Sequence, residues 1–222
     1  MNVSFWIQQT VHIVGDGISL PGDLIVPHQP KGLVLFAHGS GSSRLSTRNR
    51  YVAEVLQDGG IGTLLFDLLT PEEDTDYQQR FDIPLLSRRL ILATDWLSGY
   101  PGLSQFPYGY FGASTGAAAA LIAASEMEND IKCVVSRGGR PDLAMEFLDQ
   151  VKTPTLFIVG GRDEQVLEWN QQALEKLAGP KKLAVVPGAT HLFEEPGTLE
   201  KAADLAKDWF LKYLSPEREE LL

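Results

Sequence analysis

The stretch YGYFGASTGAAAALIAA, residues 108–124, joins an apolar run to a row of alanines through the glycine-flanked serine of Gly-Ala-Ser-Thr-Gly. A pentapeptide of this kind arises by chance in about one chain in ten of this composition, so it does not by itself distinguish a nucleophile from a serine in a tight turn. The run before it predicts a buried strand, and the alanine row predicts a helix. Ser114 would then lie on a sharp strand-to-helix turn, where a nucleophilic hydroxyl can be exposed.

The chain around this stretch alternates between strand and helix patterns after an initial hairpin. Strand-like runs at 4–13 and 18–26 flank the turn residues Gly15, Asp16 and Gly17. Further strands are predicted at 32–39, 61–67, 108–112, 131–136, 154–160 and 182–188, and helices at 47–58, 82–98, 115–127, 141–150, 165–178 and 198–214. This order predicts an α/β fold, a doubly wound and mostly parallel sheet in one domain over residues 1–222.

Composition narrows the class of protein. A chain of 222 residues, 44% hydrophobic, is long enough to bury one sizeable core. The net charge of −10 repels nucleic acid and anionic membranes, so we expect neither as a partner. The first ten residues show no basic region followed by an apolar run, which leads us to expect a cytoplasmic protein. The single cysteine, Cys133, allows no intrachain disulfide.

Polar residues follow the predicted strands at the points where those strands end. In parallel sheets of this kind, ligands and reactive groups gather beyond the carboxyl ends of the strands. Because a serine, an aspartate and a histidine all occur at such ends, the sequence predicts an active site there. The residues that follow the strands are His38, Gly39, Ser40, Asp67, Ser114, Arg137, Asp163 and His191.

His191 and Asp163 are the predicted partners of Ser114. A serine needs a base that is close to neutral, and His191 follows the last strand in a turn-rich segment; the alternative is a loop histidine bonded to a backbone carbonyl. The imidazole in turn needs an acceptor on its other nitrogen, and Asp163 precedes His191 in the order Ser, Asp, His. Asp142 and Glu164 are the other candidates for that acidic residue.

The loop His38-Gly39-Ser40-Gly41 is predicted to complete an oxyanion hole. Its glycine-rich backbone can aim an N–H group, that of Ser40 or of Gly39, at an oxyanion formed on Ser114, together with the N–H of Thr115. The alternative is a phosphate-binding loop, but the Gly-Lys-Ser/Thr ending of such loops is missing.

Four arginines that follow strand ends are candidates for binding a carboxylate or phosphate of the substrate. The alternative is that they pair with the many acidic residues of the chain. These arginines are Arg44, Arg48, Arg137 and Arg140.

Together these motifs resemble the α/β-hydrolase superfamily, and within it the small cap-less members similar to dienelactone hydrolases. The resemblance covers most of the chain and depends on HGSGSS at 38–43, GASTG at 112–116, GGRDEQV at 160–166 and GATHLF at 188–193. It implies an eight-stranded, mostly parallel sheet and hydrolysis through an acyl-enzyme. Dienelactone hydrolases proper use a cysteine nucleophile where this chain has Ser114, which makes ordinary esters the safer expectation.

The predicted function is hydrolysis of small soluble carboxylic esters, thioesters or lactones by Ser114, His191 and Asp163, without a metal or organic cofactor. The polar stretch 68–82 is expected to form one wall of an open site. Two alternatives remain open: a non-catalytic binding module with this fold, and a perhydrolase or acyltransferase that uses the same residues. We expect a monomer or a small homo-oligomer.

Overall fold

Eight strands form one sheet in the computed structural model, which describes residues 4–215. The hairpin strand β2 pairs antiparallel with both β1 and β4, and the remaining neighbours are parallel. The strand order is β1-β2-β4-β3-β5-β6-β7-β8. The strands are β1 (Phe5–Gly15), β2 (Ile18–Pro27), β3 (Leu33–Ala37), β4 (Gly62–Phe66), β5 (Tyr108–Ala113), β6 (Ile131–Arg137), β7 (Thr155–Gly160) and β8 (Lys181–Val186). The predicted mostly parallel α/β architecture with an antiparallel hairpin is confirmed.

Five α-helices cover the two faces of the sheet. They are α1 (Thr47–Asp58), α2 (Ile83–Ser98), α3 (Thr115–Glu126), α4 (Glu164–Lys176) and α5 (Thr198–Leu214). One apolar core forms under α2, α3 and α4, and a second forms under α1 and α5. Strands β3, β4 and β5 are buried along their whole length between these layers, as their continuous apolar runs predict.

The segment 141–150 differs from its predicted helix. It forms two 3-10 turns, Pro141–Ala144 and Leu148–Gln150, closed by i to i+3 hydrogen bonds. Ten residues are too few to sustain an isolated helix, and the carboxylate of Asp142 is bound to Arg140 instead of capping the first turn. The segment therefore remains a connection between β6 and β7.

Helix α3 is the element that fixes the position of Ser114. Its residues from Thr115 to Ala124 are all buried, because the alanine side chains let neighbouring layers approach from every side. Leu121 and Ile122 add the larger apolar side chains further along the helix. The strand-to-helix turn before α3 is consequently held at the centre of the sheet, beside β3.

None of the helices described in residues 4–215 is both long and apolar enough to cross a membrane.

Candidate active site

Ser114 lies on a strained turn between β5 and α3. Its backbone has φ 52° and ψ −122°, a conformation that costs a non-glycine residue free energy and is typical of functional positions. A Cβ atom added at Gly116 would overlap the carbonyl oxygen of Ala37, and one at Gly112 would overlap the Cα of Ala117. The flanking glycines are therefore required for the turn, which leaves the serine partly exposed at the end of β5.

Asp163 and His191 form a hydrogen bond of 2.7 Å between Oδ2 and Nδ1. Asp163 follows β7 at the N-cap of α4, but its carboxylate makes no capping bond and faces the imidazole instead. The Asp163 side chain is 16% exposed and that of His191 38% exposed, so the carboxylate is shielded while the ring reaches solvent. With Nδ1 donating to Asp163, Nε2 of a neutral His191 is left as an acceptor.

Residues 137–140, which comprise the last residue of β6 and the turn after it, connect Ser114 to His191. The Ser114 N–H donates to the carbonyl of Arg137 at 3.3 Å, and the Arg140 N–H donates to the carbonyl of Ser114 at 3.0 Å. A Cβ atom at Gly138 would lie 3.6 Å from Nδ1 of His191. The same short turn thus contacts both residues. Among the hydrogen bonds of the described residues, none involves the Ser114 hydroxyl, which is often the case before substrate binds.

The loop after β3 approaches the start of α3 closely. The Ser40 N–H donates to the Thr115 hydroxyl at 2.8 Å, so it points toward the first turn of the helix. A Cβ atom at Gly39 would lie 3.1 Å from Cβ of Ser114. Thr115 is the first residue of α3, and its own N–H is among those that a helix leaves without an intrahelical acceptor. N–H groups from two elements therefore lie beside Ser114.

His38 holds this loop in place through hydrogen bonds on both of its ring nitrogens. The Leu68 N–H donates to its Nε2 at 3.1 Å, so the proton of the neutral ring is on Nδ1, which lies 3.0 Å from the Gly39 carbonyl oxygen. Burial lowers the pKa of His38, which keeps the ring neutral in this arrangement. His38 therefore ties the loop after β3 to the chain after β4 and sets the orientation of the Gly39–Ser40 peptide.

Glu195 orders the loop that carries His191, a role that the sequence analysis missed. Its carboxylate accepts the Thr190 N–H at 3.0 Å and the Thr190 hydroxyl at 2.7 Å. These hydrogen bonds, the side-chain one above all, lower the pKa of Glu195. A carboxylate four residues after the histidine in a turn-rich segment was the available signal, but the pattern does not say which backbone group it meets.

Three of the four candidate arginines form ion pairs with nearby carboxylates. For Arg140 the pair is bidentate, and the guanidinium also lies 4.3 Å from the ring centroid of Trp169. These contacts do not test substrate binding, which stays a prediction for all four. The pairs are Arg44–Asp67 at 2.7 Å, Arg48–Glu194 at 3.5 Å and Arg140–Asp142 at 2.7 Å.

Arg137 differs from the other three because it is buried and its contacts within the described residues include no carboxylate. Its Nη2 donates to Asn49 at 3.2 Å, and its guanidinium lies 5.7 Å from the ring centroid of Phe193. Nε and Nη1 have no hydrogen-bond partner among the described residues. Burial, and then the nearby charge of Arg48, lower the pKa of Arg137 to about 10. The side chain places a positive charge beneath the His191 loop.

Cavities lie both at this site and away from it. A cavity of about 110 Å³ adjoins the loop after β3 and is lined by His38, Ser42 and Asp67, among others. A larger open groove of about 640 Å³ lies between the hairpin and α1, and none of its lining residues belongs to the site built around Ser114. Within residues 4–215, no three His, Cys, Asp or Glu side chains converge as a group that could hold a metal ion.

Comparisons with known proteins agree with this fold. The chain is similar to the dienelactone hydrolase of Anabaena variabilis, whose crystal structure is 53% identical, has a TM-score of 0.91 and is matched over 94% of this chain and 98% of that one. An α/β serine hydrolase without a lid from Xanthomonas campestris shares the fold at 19% identity and a TM-score of 0.79, over 97% of this chain and 99% of that one.

Relatives from Mycobacterium tuberculosis carry a different name. They are 58% identical over 206 residues, or 93% of this chain, and are provisionally named phosphoribosyl transferases. The chain spans about half the length of these curated relatives, 46%. No family model matches the chain.

Proposed function

Because this chain belongs to the cap-less dienelactone hydrolase-like group of the α/β-hydrolase superfamily, we propose that it is a serine hydrolase that cleaves carboxylic esters. Thioesters and lactones present the same acyl carbonyl and fall within the proposal. The observation that supports it is the 2.7 Å bond between Asp163 and His191, together with the short segment 137–140, whose backbone bonds to Ser114 and lies against His191. Such an arrangement orients one imidazole nitrogen toward a nucleophile and stabilises the ring when it takes up a proton.

In the proposed mechanism, Ser114 Oγ attacks the acyl carbonyl while Nε2 of His191 accepts the hydroxyl proton. The tetrahedral intermediate collapses when His191 gives that proton to the leaving alcohol, which leaves an acyl group on Ser114. A water molecule then attacks the acyl-enzyme, with His191 again taking the proton, and the acid is released. Asp163 keeps the proton on Nδ1 throughout and stabilises the imidazolium.

The proposed oxyanion donors are the N–H groups of Thr115 and Ser40. The case for Ser40 over Gly39 is its direction, since its N–H already donates to an oxygen at the start of α3. The Thr115 hydroxyl would occupy that donor until a substrate oxyanion competes for it. Donors fixed in advance in this way are worth roughly 10²- to 10³-fold in rate each.

Covalent labelling tests the proposal. A fluorophosphonate probe should add once to the native chain, and peptide mass analysis should place the adduct on Ser114. Ser114→Ala should show no adduct. The control Ser136→Ala removes the buried serine hydroxyl directly before the segment 137–140 and should still be labelled. Absence of an adduct on native protein, or equal labelling of Ser114→Ala, would contradict the serine hydrolase and favour a binding module with this fold.

The name of the mycobacterial relatives raises phosphoribosyl transfer as another activity. Those proteins are about twice as long as the part matched here, so we assign ester chemistry to this chain and leave the named activity to the longer proteins. Incubation with phosphoribosyl diphosphate and a nucleobase should release no diphosphate. Release that persists in Ser114→Ala would contradict this assignment.

Acyl transfer is the remaining alternative within the same chemistry. An alcohol or peroxide would replace water in the attack on the acyl-enzyme, with His191 as the same base. Product analysis with a short ester at increasing alcohol concentrations distinguishes hydrolysis from acyl transfer. A hydrolase yields mainly the free acid at all but high alcohol concentrations, whereas an acyltransferase yields the new ester.

A further inference from the structure

Exposed apolar side chains are concentrated on the loops that surround Ser114. Eight large hydrophobic side chains are exposed in residues 4–215, and five of them follow the carboxyl ends of strands. We call these five the apolar rim: Leu45, Tyr77, Phe81, Leu143 and Leu192. The other three, Trp6, Val14 and Val185, lie on the edge strands β1 and β8, three or more strands from β5. Apolar side chains exposed together mark a binding surface more often than scattered ones do.

Several rim residues are tied directly to the candidate site. Leu192 follows His191 in the chain, and the Leu143 N–H donates to the carbonyl of Arg140, whose own N–H donates to the carbonyl of Ser114. Tyr77 and Phe81 pack with ring centroids 5.0 Å apart. Arg80, between them, lines a small cavity with Gly39, Ser40 and Gly41. Arg80 thereby links the segment that carries the two rings to the loop His38-Gly39-Ser40-Gly41.

The charges at the same edge are largely paired. The Asp74 carboxylate accepts two hydrogen bonds from Arg80, at 2.9 and 3.2 Å, and Arg44, Arg48 and Arg140 each have a carboxylate partner as well. A guanidinium that already has its carboxylate offers a substrate anion less than a free one does. The rim is therefore apolar, and three of the four candidate arginines beside it have carboxylate partners, the exception within the described residues being the buried Arg137.

We propose, resting on the ester hydrolysis proposed above, that the substrate is a neutral ester with an apolar group at least as large as a phenyl ring, which contacts the apolar rim. Because Arg44, Arg48 and Arg140 already have carboxylate partners, we expect an anionic group on the substrate to contribute less to recognition than an apolar one. The rim departs from the polar-edged site that the sequence suggested, because the apolar residues Tyr77 and Phe81 interrupt an otherwise acidic stretch and both side chains are exposed.

Three 4-nitrophenyl esters with one leaving group test the proposal: the acetate, the 3-phenylpropanoate and the anionic hemisuccinate. We expect kcat/KM for the phenylpropanoate to exceed that for the acetate by about tenfold, since a few methylene-sized groups leave water. The hemisuccinate should be no better than the acetate. Tyr77→Ser with Leu143→Ser should reduce the tenfold ratio to about two or three. The matched control, Trp6→Ser with Val14→Ser, should keep the wild-type ratio.

Each other result overturns the proposal in a recognisable way. Acetate hydrolysis by Ser114 without a preference for the phenylpropanoate overturns the apolar rim alone, as does a preference for the hemisuccinate. No hydrolysis of any ester and no labelling of Ser114 overturns the proposed function as well. Sedimentation velocity covers the remaining case: if the rim variant changes a dimer into a monomer with an unchanged ester ratio, the rim is an interface between copies of this chain.

Discussion

Ser114 combines reactivity with backbone strain, and the two can be separated by substitution. At φ 52° and ψ −122° glycine is relaxed and alanine is not. We expect the free energy of unfolding of Ser114→Gly to exceed that of Ser114→Ala by about 1 kcal/mol, although both variants lose the nucleophile. Urea denaturation measures the difference.

Ser125 provides the control for this prediction, because it lies within helix α3. There the order should be reversed, with Ser125→Ala more stable than Ser125→Gly by about 1 kcal/mol. If the alanine variant is the more stable one at both positions, the turn at Ser114 is not strained.

His38 makes the stability of the fold depend on pH. Its pKa is lowered in the folded state by burial, so the unfolded state binds the proton first as pH falls. The stabilisation from neutral His38 is complete above about pH 6.5 and decreases as pH falls through the unfolded pKa toward the folded one. We expect the wild type to lose its advantage in free energy of unfolding over His38→Gln between about pH 7 and pH 5. A constant difference across that range would show that His38 takes up its proton equally in both states.

At this scale the sequence proposed which side chains form the site but not what each one contacts. Residue type and strand-end position were enough to propose Ser114, Asp163 and His191, and histidine was the easiest to choose because the chain has only four. The bond from Ser40 to Thr115 and the support from Glu195 depend on loop conformations that no periodicity encodes. The choice between Ser40 and Gly39 was open for the same reason.

The contact between α3 and β3 depends on a missing side chain at Gly116. A methyl group there would overlap the carbonyl oxygens of Ala37 and His38, which belong to backbone and cannot swing aside. Gly116→Ala should therefore lower the free energy of unfolding by about 1–3 kcal/mol or more and displace the turn that holds Ser114. Thermal unfolding and labelling of Ser114 measure the two effects.

Gly99 is the matched glycine for that experiment. It ends helix α2 with φ −81°, and the nearest atom to an added Cβ is 3.6 Å away. Gly99→Ala should leave both stability and labelling close to wild type. A similar loss at both glycines would trace the effect to the general cost of substitution.

The loop that follows β8 is predicted to depend on Glu195 for its order. Glu195→Ala removes both hydrogen bonds to Thr190, so we expect kcat for a short ester to fall by about tenfold or more as His191 loses its orientation. KM should change little, because Glu195 is placed away from the acyl group in this mechanism.

The neighbouring Glu194→Ala is the control for the loop. Glu194 is 66% exposed on its side chain, and its ion pair to Arg48 is 3.5 Å long. Its removal should leave kcat within about twofold, as is usual for a surface pair. Equal losses in the two variants would place the effect in the charge of the loop and not in its hydrogen bonds.

Elements were the most predictable part of the molecule. Each strand and α-helix pattern of the sequence corresponds to an element of the structure except 141–150, where the apolar spacing suits a helix but the chain makes 3-10 turns. The exception is the segment in which side-chain pairing, between Arg140 and Asp142, competes with the backbone. Local patterns record propensity and burial, not such competition.

The net charge of the whole chain should influence how an anionic substrate approaches. With a charge of −10, repulsion extends about 30 Å at 10 mM salt and about 8 Å at 150 mM. We expect kcat/KM for the hemisuccinate ester to rise about twofold to threefold over that range, while the value for the neutral acetate stays constant. A fall with salt would instead indicate attraction by arginines at the site, as the sequence suggested for Arg44, Arg48, Arg137 and Arg140.

The full burial of α3 has a consequence for how the molecule fluctuates. Amide hydrogens from Ala118 to Ala124 lie in a helix that has no solvent-facing side, so they can exchange with deuterium only when the fold opens globally. Amides around Tyr77 and Leu143, in 3-10 turns and loops, can exchange through local opening. We therefore expect the serine turn to rest on the slowest-exchanging part of the chain, and the surfaces that would meet substrate to exchange faster. On heating, the ratio of kcat/KM between the phenylpropanoate and the acetate should therefore fall at a lower temperature than the one at which labelling of Ser114 is lost.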